Sequence, residues 1–174
     1  FPADQLKIID YNRVVRDLNG LSKQKFLKKL EKYFKVRSIS SSEKAKPAKE
    51  HEFGMYLIDQ WYKISLKETM VDLSDPVKSL DSHLLTELVL SPILGIKNIR
   101  KDERIDFVGG NRGMEALEGR VNAGEMMLAF ALHPISIEQL MSVADSNALM
   151  PPKTTWFEPK LQSGLFIHSL EDET

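Results

Sequence analysis

The sequence predicts an α+β fold: a mixed, largely antiparallel sheet with packed helices, in a single compact domain over residues 1–174. Three observations carry this. Two apolar runs flanking Asp59-Gln60 read as a hairpin. Strand-like and helix-like segments follow one another with few clean strand–helix–strand units, which disfavours a parallel sheet. The longest uninterrupted apolar run, residues 126–132, has the length of a buried strand and falls far short of the roughly 20 residues that span a bilayer.

Residues 6–9 and 13–15 read as strands. Residues 22–34 have helical periodicity, with Phe26, Leu27, Leu30, Tyr33 and Phe34 as the inward stripe and Lys23, Lys25, Lys28, Lys29, Lys32 and Lys35 mainly on the outer face. Residues 37–50 are polar, rich in Ser and Lys, and read as a flexible surface loop. The hairpin occupies 52–58 and 61–66. Asp75 and Pro76 suit an N-cap and first turn, followed by a stripe of Leu80, Leu84, Leu85 and Leu88 that runs towards Pro92 and Gly95. A short strand at 105–108 is broken by Gly109-Gly110-Asn111-Arg112-Gly113, after which Met114, Leu117 and Val121 rebuild a helix. Beyond the apolar run, Ser136 and Gln139 form a capping box that opens a helix with Ile137, Leu140, Met141 and Ala144 inward. A proline-rich connector at 150–159 leads to a last strand at 165–170.

Composition narrows the function classes. There is no Cys, so disulfides, thiolate zinc sites and a Cys nucleophile are excluded. The four histidines are scattered without ligand spacing, and no metal site is expected from them. Asp72, Asp75 and Asp81 surround a helix start, where capping accounts for them. Ser163-Gly164 lacks the context of a serine hydrolase. The net charge of -1 hides an excess of +7 in residues 1–50 and of -8 in the remainder. Most of the basic excess rides on the lysine face of residues 23–35, which reads as a solvated helix face and argues against nucleic acid as a partner. No signal peptide opens the chain and no membrane partner is expected, so the expected location is cytoplasmic. Beginning abruptly at Phe1, just before a strand, the chain reads as the C-terminal fragment of a longer protein. The absent N-terminal region is then its first expected partner, docked on an exposed apolar patch, and a homodimer is left open.

Two segments are candidates for ligand chemistry. In the strand–glycine turn–helix unit, Gly109, Gly110 and Gly113 would let backbone N–H groups approach a phosphate or carboxylate, and Arg112 could supply a two-pronged contact. The unit matches neither known phosphate-loop spacing, and a tight turn with Arg112 paired to an acid is the plainer reading. In residues 150–160 the prolines stiffen a stretch where Lys153, Thr155, Trp156, Glu158 and Lys160 could face one ligand. There the plainer reading makes Trp156 and Phe157 core plugs. Arg13, beside Tyr11 and Asn12, could reach a cleft or be an ordinary strand-edge arginine.

Taken together, residues 10–15 with Asp17-Leu18-Asn19-Gly20, residues 107–113, and Met150-Pro151-Pro152-Lys153 through Gly164-Leu165-Phe166-Ile167 resemble the C-terminal half of the prokaryotic family catalogued as domain of unknown function 1015. The resemblance runs over almost the whole chain. It implies that full-length members carry, upstream, an Asp-Gly-His-His-Arg motif similar to that of the nucleotide-binding ParB and sulfiredoxin-like fold, which includes free serine kinases. This chain has no such motif. Thr154 stands where the family pattern has Ser, and Asp10 where it has Pro, which weakens a hydroxyl-specific role and a rigid turn there. The resulting expectation is the C-terminal part of a small-molecule enzyme, of phosphotransferase type, that acts on a polar phosphorylated or carboxylate metabolite; the cofactor is unknown. Arg13, Arg112, Lys153 and Lys160 would position the anion, Glu158 would serve a metal or pair with a cation, and Thr155 and Trp156 would shape the wall. A metabolite site requires Arg112 and Lys153 to converge; a non-catalytic scaffold or regulatory module, the alternative, would leave them apart or bridged to acids. A DNA-binding accessory domain that uses the lysine face is the weaker third expectation.

Overall fold

The computed structural model describes residues 7–70, 72 and 74–158. The strands are β1 (Lys7–Ile9), β2 (Tyr11–Val15), β3 (Phe34–Ile39), β4 (Glu52–Leu57), β5 (Gln60–Leu66), β6 (Ile105–Gly109), β7 (Leu128–Leu132) and β8 (Trp156–Glu158). The helices are α1 (Lys23–Leu30), α2 (Ser42–Ala45), α3 (Asp81–Leu85), which continues as a π-helical turn over Thr86–Leu90, α4 (Gly113–Asn122) and α5 (Ile137–Asp145). Six strands form one sheet in the order β3-β5-β4-β7-β2-β6, and β1 pairs with β8. Every pairing among the described strands is antiparallel, and the fold is α+β.

The alternation of side chains along each strand decides which helix covers which face. Val15, Phe53, Met55, Leu128, Phe130 and Leu132 pack with Phe26 and Leu30 of α1 and with Leu84, Leu85, Val89 and Leu90. Val14, Tyr56, Val108, Ala129 and Ala131 pack with Met114, Leu117 and Val121 of α4 and with Ala45 of α2. β7 thus presents large residues to one face and alanines to the other. The small face is what lets α2 and α4 come close: a Cβ on Gly54, in neighbouring β4, would lie 2.7 Å from the Ala45 carbonyl oxygen and 3.3 Å from both Ala131 Cβ and Met114 Cε.

Several expectations are corrected by the structure. Helix α1 begins after an N-cap at Ser22, as its pattern suggests, but ends at Leu30 rather than 34. Lys67 donates to the Glu31 and Lys32 carbonyls at 2.6 and 3.3 Å and closes the helix end, and Phe34 enters the core as the first residue of β3. The expected flexible loop at 37–50 begins as the end of edge strand β3 and then forms α2, capped by Ser41, with Ala45 fully buried. Asp75 does cap a turn, accepting from the Val77 and Lys78 N–H groups, but the helix proper starts at Asp81. The capping box at Ser136 and Gln139 forms as expected. Its helix, however, buries Val143 and leaves Met141 and Ala144 exposed, because α5 packs only on the small cluster around Leu80 and Ile135. Residues 156–158 of the expected connector are strand β8. The strand expected at 165–170 lies outside the described residues. Among the described residues, no helix is long and apolar enough to cross a membrane.

Candidate functional site

The first candidate lies where β1 hands over to β2, next to the end of β6. The Gly110 N–H donates to the Asp10 carbonyl at 2.8 Å, extending the β2–β6 ladder by one bond. A 3-10 turn over Gly110–Arg112 then leads into α4, whose first residue, Gly113, sits at φ 73°, a conformation that favours glycine. Asn12, buried between the strands, donates to Asp10 Oδ2 at 2.6 Å, and its Oδ1 accepts from the Leu132 N–H at 2.9 Å. Beside this junction is a cavity of about 500 Å³, lined by Lys7, Asp10, Lys46, Gly110, Asn111 and Glu158, with Ile8, Pro47, Met114 and Ala131 among its apolar walls. Glu158 Oε1 accepts from Trp156 Nε1 at 2.8 Å and from Asn111 Nδ2 at 3.4 Å. The arrangement offers two cations, two carboxylates and an amide above an apolar floor, which suits a small polar ligand that carries charges of both signs.

A second cluster occupies the opposite face of the sheet. Arg13 is fully buried; its Nη1 donates to the Tyr11 carbonyl at 3.2 Å and its Nη2 to the Lys153 carbonyl at 3.4 Å, while Nε has no partner among the described residues. The guanidinium lies 5.8 Å from the centre of the Phe107 ring. Lys153 Nζ sits 5.5 Å from the Tyr11 ring and 5.6 Å from the Phe107 ring, and donates to the Tyr11 hydroxyl at 3.3 Å. Trp156 meets Tyr11 edge to face at 5.3 Å, in space that a Cβ on Gly109 would invade.

Burial perturbs two charges here. Desolvation pulls the Arg13 guanidinium down to about 10, opposed by the field of Asp81. Desolvation likewise pushes the Asp81 carboxyl up to about 7, opposed by the His51 N–H that donates to it at 2.9 Å and by Arg13. Next to Asp81, Ser82 Oγ lies 3.0 Å from Thr154 Oγ1, which also donates to the Pro151 carbonyl at 2.8 Å.

Of the residues singled out in the sequence, Gly110 and Glu158 line the cavity, Gly109 and Trp156 pack beside it, and Arg13 and Lys153 meet across the sheet. Arg112 is exposed and makes no hydrogen bond or ion pair with the described residues. Gly113 shapes the entry to α4, Thr155 is partly buried without lining the cavity, and Lys160 lies outside the described residues. Sequence reasoning missed Lys7, Lys46 and Asn111 as lining residues and Asp81 as a buried acid. No local signal marks them, since long-range pairing assembles the site. No group of three or more His, Asp or Glu side chains among the described residues is placed to hold a metal ion.

Comparisons with known proteins place the fold. No curated protein matches the chain in sequence. Among solved structures, a free serine kinase in complex with AMP matches with a TM-score of 0.52 and 17% identity over 90% of this chain and 55% of its own. A mutant of a free serine kinase, also in complex with AMP, matches with 0.52 and 16% over the same shares. A conserved hypothetical protein from Pyrococcus furiosus matches with 0.52 and 16% over 90% of this chain and 57% of its own. The chain therefore spans little more than half the length of the solved proteins whose fold it shares. Residues 1–83 match the family described as Protein of unknown function (DUF1015), and this match supports the resemblance of the chain to that family.

Proposed function

We propose that this chain is part of a cytoplasmic small-molecule enzyme of phosphotransferase type, and that the cavity at the β1–β2 junction holds its polar metabolite. The observation that carries the reading is the composition of that cavity: Lys7 and Lys46 supply positive charge, Asp10 and Glu158 accept, and Asn111 does both. A phosphate or carboxylate pairs with the lysines by charge-assisted hydrogen bonds, and an ammonium pairs with the acids. The shared fold with free serine kinases crystallised with AMP supports a phosphoryl donor as the second reactant. The catalytic acid, base and nucleotide contacts are assigned to a region upstream, absent here, which is also the first partner in this reading; the whole protein could pair as a homodimer. The cations of the site are then Lys7 and Lys46 rather than Arg112.

A scaffold or regulatory role is the second reading, favoured by the burial of Arg13 against main-chain carbonyls. Thermal unfolding separates the two. With AMP, ADP, phosphate, serine and phosphoserine tested in turn, a ligand at about 100 times its Kd adds roughly 2.7 kcal/mol and raises the midpoint by roughly 5–10 °C. The enzyme reading expects such a shift for at least one ligand and its loss in Lys46→Ala and Asn111→Ala. Absence of a shift with all five would favour the scaffold.

A further inference from the structure

Two cations on the face of the sheet opposite the cavity form no ion pair among the described residues; Asp81 acts on Arg13, and Asp106 on Lys153, only from beyond ion-pair distance. Arg13 is 0% exposed, yet no carboxylate of the described residues lies within ion-pair distance of it. A guanidinium carries five N–H donors and keeps its charge in proteins, so burying one against two carbonyls at 3.2 and 3.4 Å, with Nε left over, leaves much of its desolvation uncompensated. The ammonium of Lys153 shares the Phe107 ring with it, lies over the Tyr11 ring as well, and is also without an ion-pair partner among the described residues. Lys153 reaches this place with φ at 58°, uncommon for a residue with a side chain. Its segment is tied to the rest of the fold by Lys153, through Arg13 and the Tyr11 hydroxyl, and by Thr154, through Ser82 Oγ, while the bond from Thr154 to the Pro151 carbonyl closes a turn within the segment.

We propose that Arg13 and Lys153 form a receptor for an oxyanion, a phosphate or carboxylate group, and that residues 151–155 are a strap that swings aside to admit it. In the closed form seen here, the Lys153 carbonyl holds the position of one anion oxygen. When the strap opens, Arg13 Nε and Nη2 gain a two-pronged acceptor, and Lys153 regains an ordinary backbone conformation while its ammonium closes on the anion from outside. This site is separate from the cavity of the proposed function and does not depend on it.

The absence of Cys makes the strap testable, because Ser82→Cys with Thr154→Cys introduces the chain's only thiols where the native oxygens are 3.0 Å apart. Thermal unfolding is followed in inorganic phosphate, and separately in acetate, for the wild-type chain, Lys153→Ala, Lys46→Ala and the double-Cys variant. Phosphate is expected to raise the wild-type midpoint by several degrees more than that of Lys153→Ala. The oxidised double-Cys chain should lose the shift and regain it on reduction. A larger effect of acetate would make the group a carboxylate. Amide exchange across residues 151–155 should speed up when phosphate is added to the wild-type chain, which reads the strap even if the double-Cys variant does not fold. Equal shifts in wild type and Lys153→Ala, an undiminished shift in the oxidised chain, or slower exchange of the strap would each overturn the proposal. Loss of the shift in Lys46→Ala alone would place the anion in the cavity instead.

Discussion

Gly110 donates its N–H to the Asp10 carbonyl at 2.8 Å, and a Cβ on Gly110 would fall inside the Asp10 carboxylate. The backbone of Gly110 does not itself require glycine, since its φ is not positive. What requires it is the approach of the Asp10 side chain, held by the amide of Asn12 at 2.6 Å. Gly110→Ala should therefore push the carboxylate away and break that hydrogen bond, at a cost of about 1–2 kcal/mol. In an Asp10→Ala background the same substitution should cost only about a few tenths of a kcal/mol, as surface changes do. A double-mutant cycle by urea unfolding measures the coupling, and additive effects would refute the account.

Asn12 joins two halves of the site through one amide: its oxygen satisfies the buried Leu132 N–H and its nitrogen restrains Asp10. Asn12→Ala leaves that N–H unpaired and should destabilise by roughly 1–3 kcal/mol. Asn12→Asp keeps the acceptor but sets a second carboxylate against Asp10. The variant should recover stability as the pH is lowered from about 8 to about 5, where one shared proton replaces the lost donor. Denaturant midpoints at the two pH values check this.

Asp81 gives a pH dependence of defined sign. The folded state keeps its proton up to about pH 7, whereas the unfolded chain releases it near pH 4, so the folded state binds more protons in between. Asp81 therefore lowers stability as pH rises from about 4 to about 7, with no further change above. Asp81→Asn retains an acceptor for the His51 N–H and removes the titration. Relative to wild type, this variant should gain on the order of 1–3 kcal/mol between about pH 4 and about pH 8. Acids held low by hydrogen bonds, such as Asp102 beside Arg104, contribute in the opposite direction below about pH 4 and cancel in the difference.

What the sequence discloses of this fold is what short-range physics controls. The β4–β5 hairpin, the large–small alternation of β7 and the capping box at Ser136 are each encoded within a few residues, and each forms. Strand β3 was hidden because it is an edge strand: Lys35, Arg37 and Ser38 face solvent, and the serines that follow belong to the cap of α2. The strand character of residues 156–158 depends on pairing with β1, at the other end of the described chain. The same holds for function. The glycine turn was legible as a place where backbone comes close to something, but that Asp10 is what it approaches depends on the β2–β6 register. Arg13 was legible as a strand residue; its full burial depends on Lys153, and no local pattern announces that.

The closeness of α2 to the sheet supplies the last prediction. In Gly54→Ala the new methyl would sit 2.7 Å from a backbone oxygen, that of Ala45, rather than from the flexible end of a side chain. Relief has to come from moving α2 as a unit, and Lys46 and Pro47, which line the cavity, follow directly after it. The substitution should cost about 1–3 kcal/mol, as overpacking does. It should also weaken any ligand that the cavity takes, because Lys46 moves with the helix, while the phosphate response assigned to Arg13 and Lys153 stays as in wild type. Measuring both responses in the one variant tests whether α2 is the element that carries the wall of the cavity. A chain that unfolds as wild type does and keeps both responses would show that the sheet, not the helix, gives way.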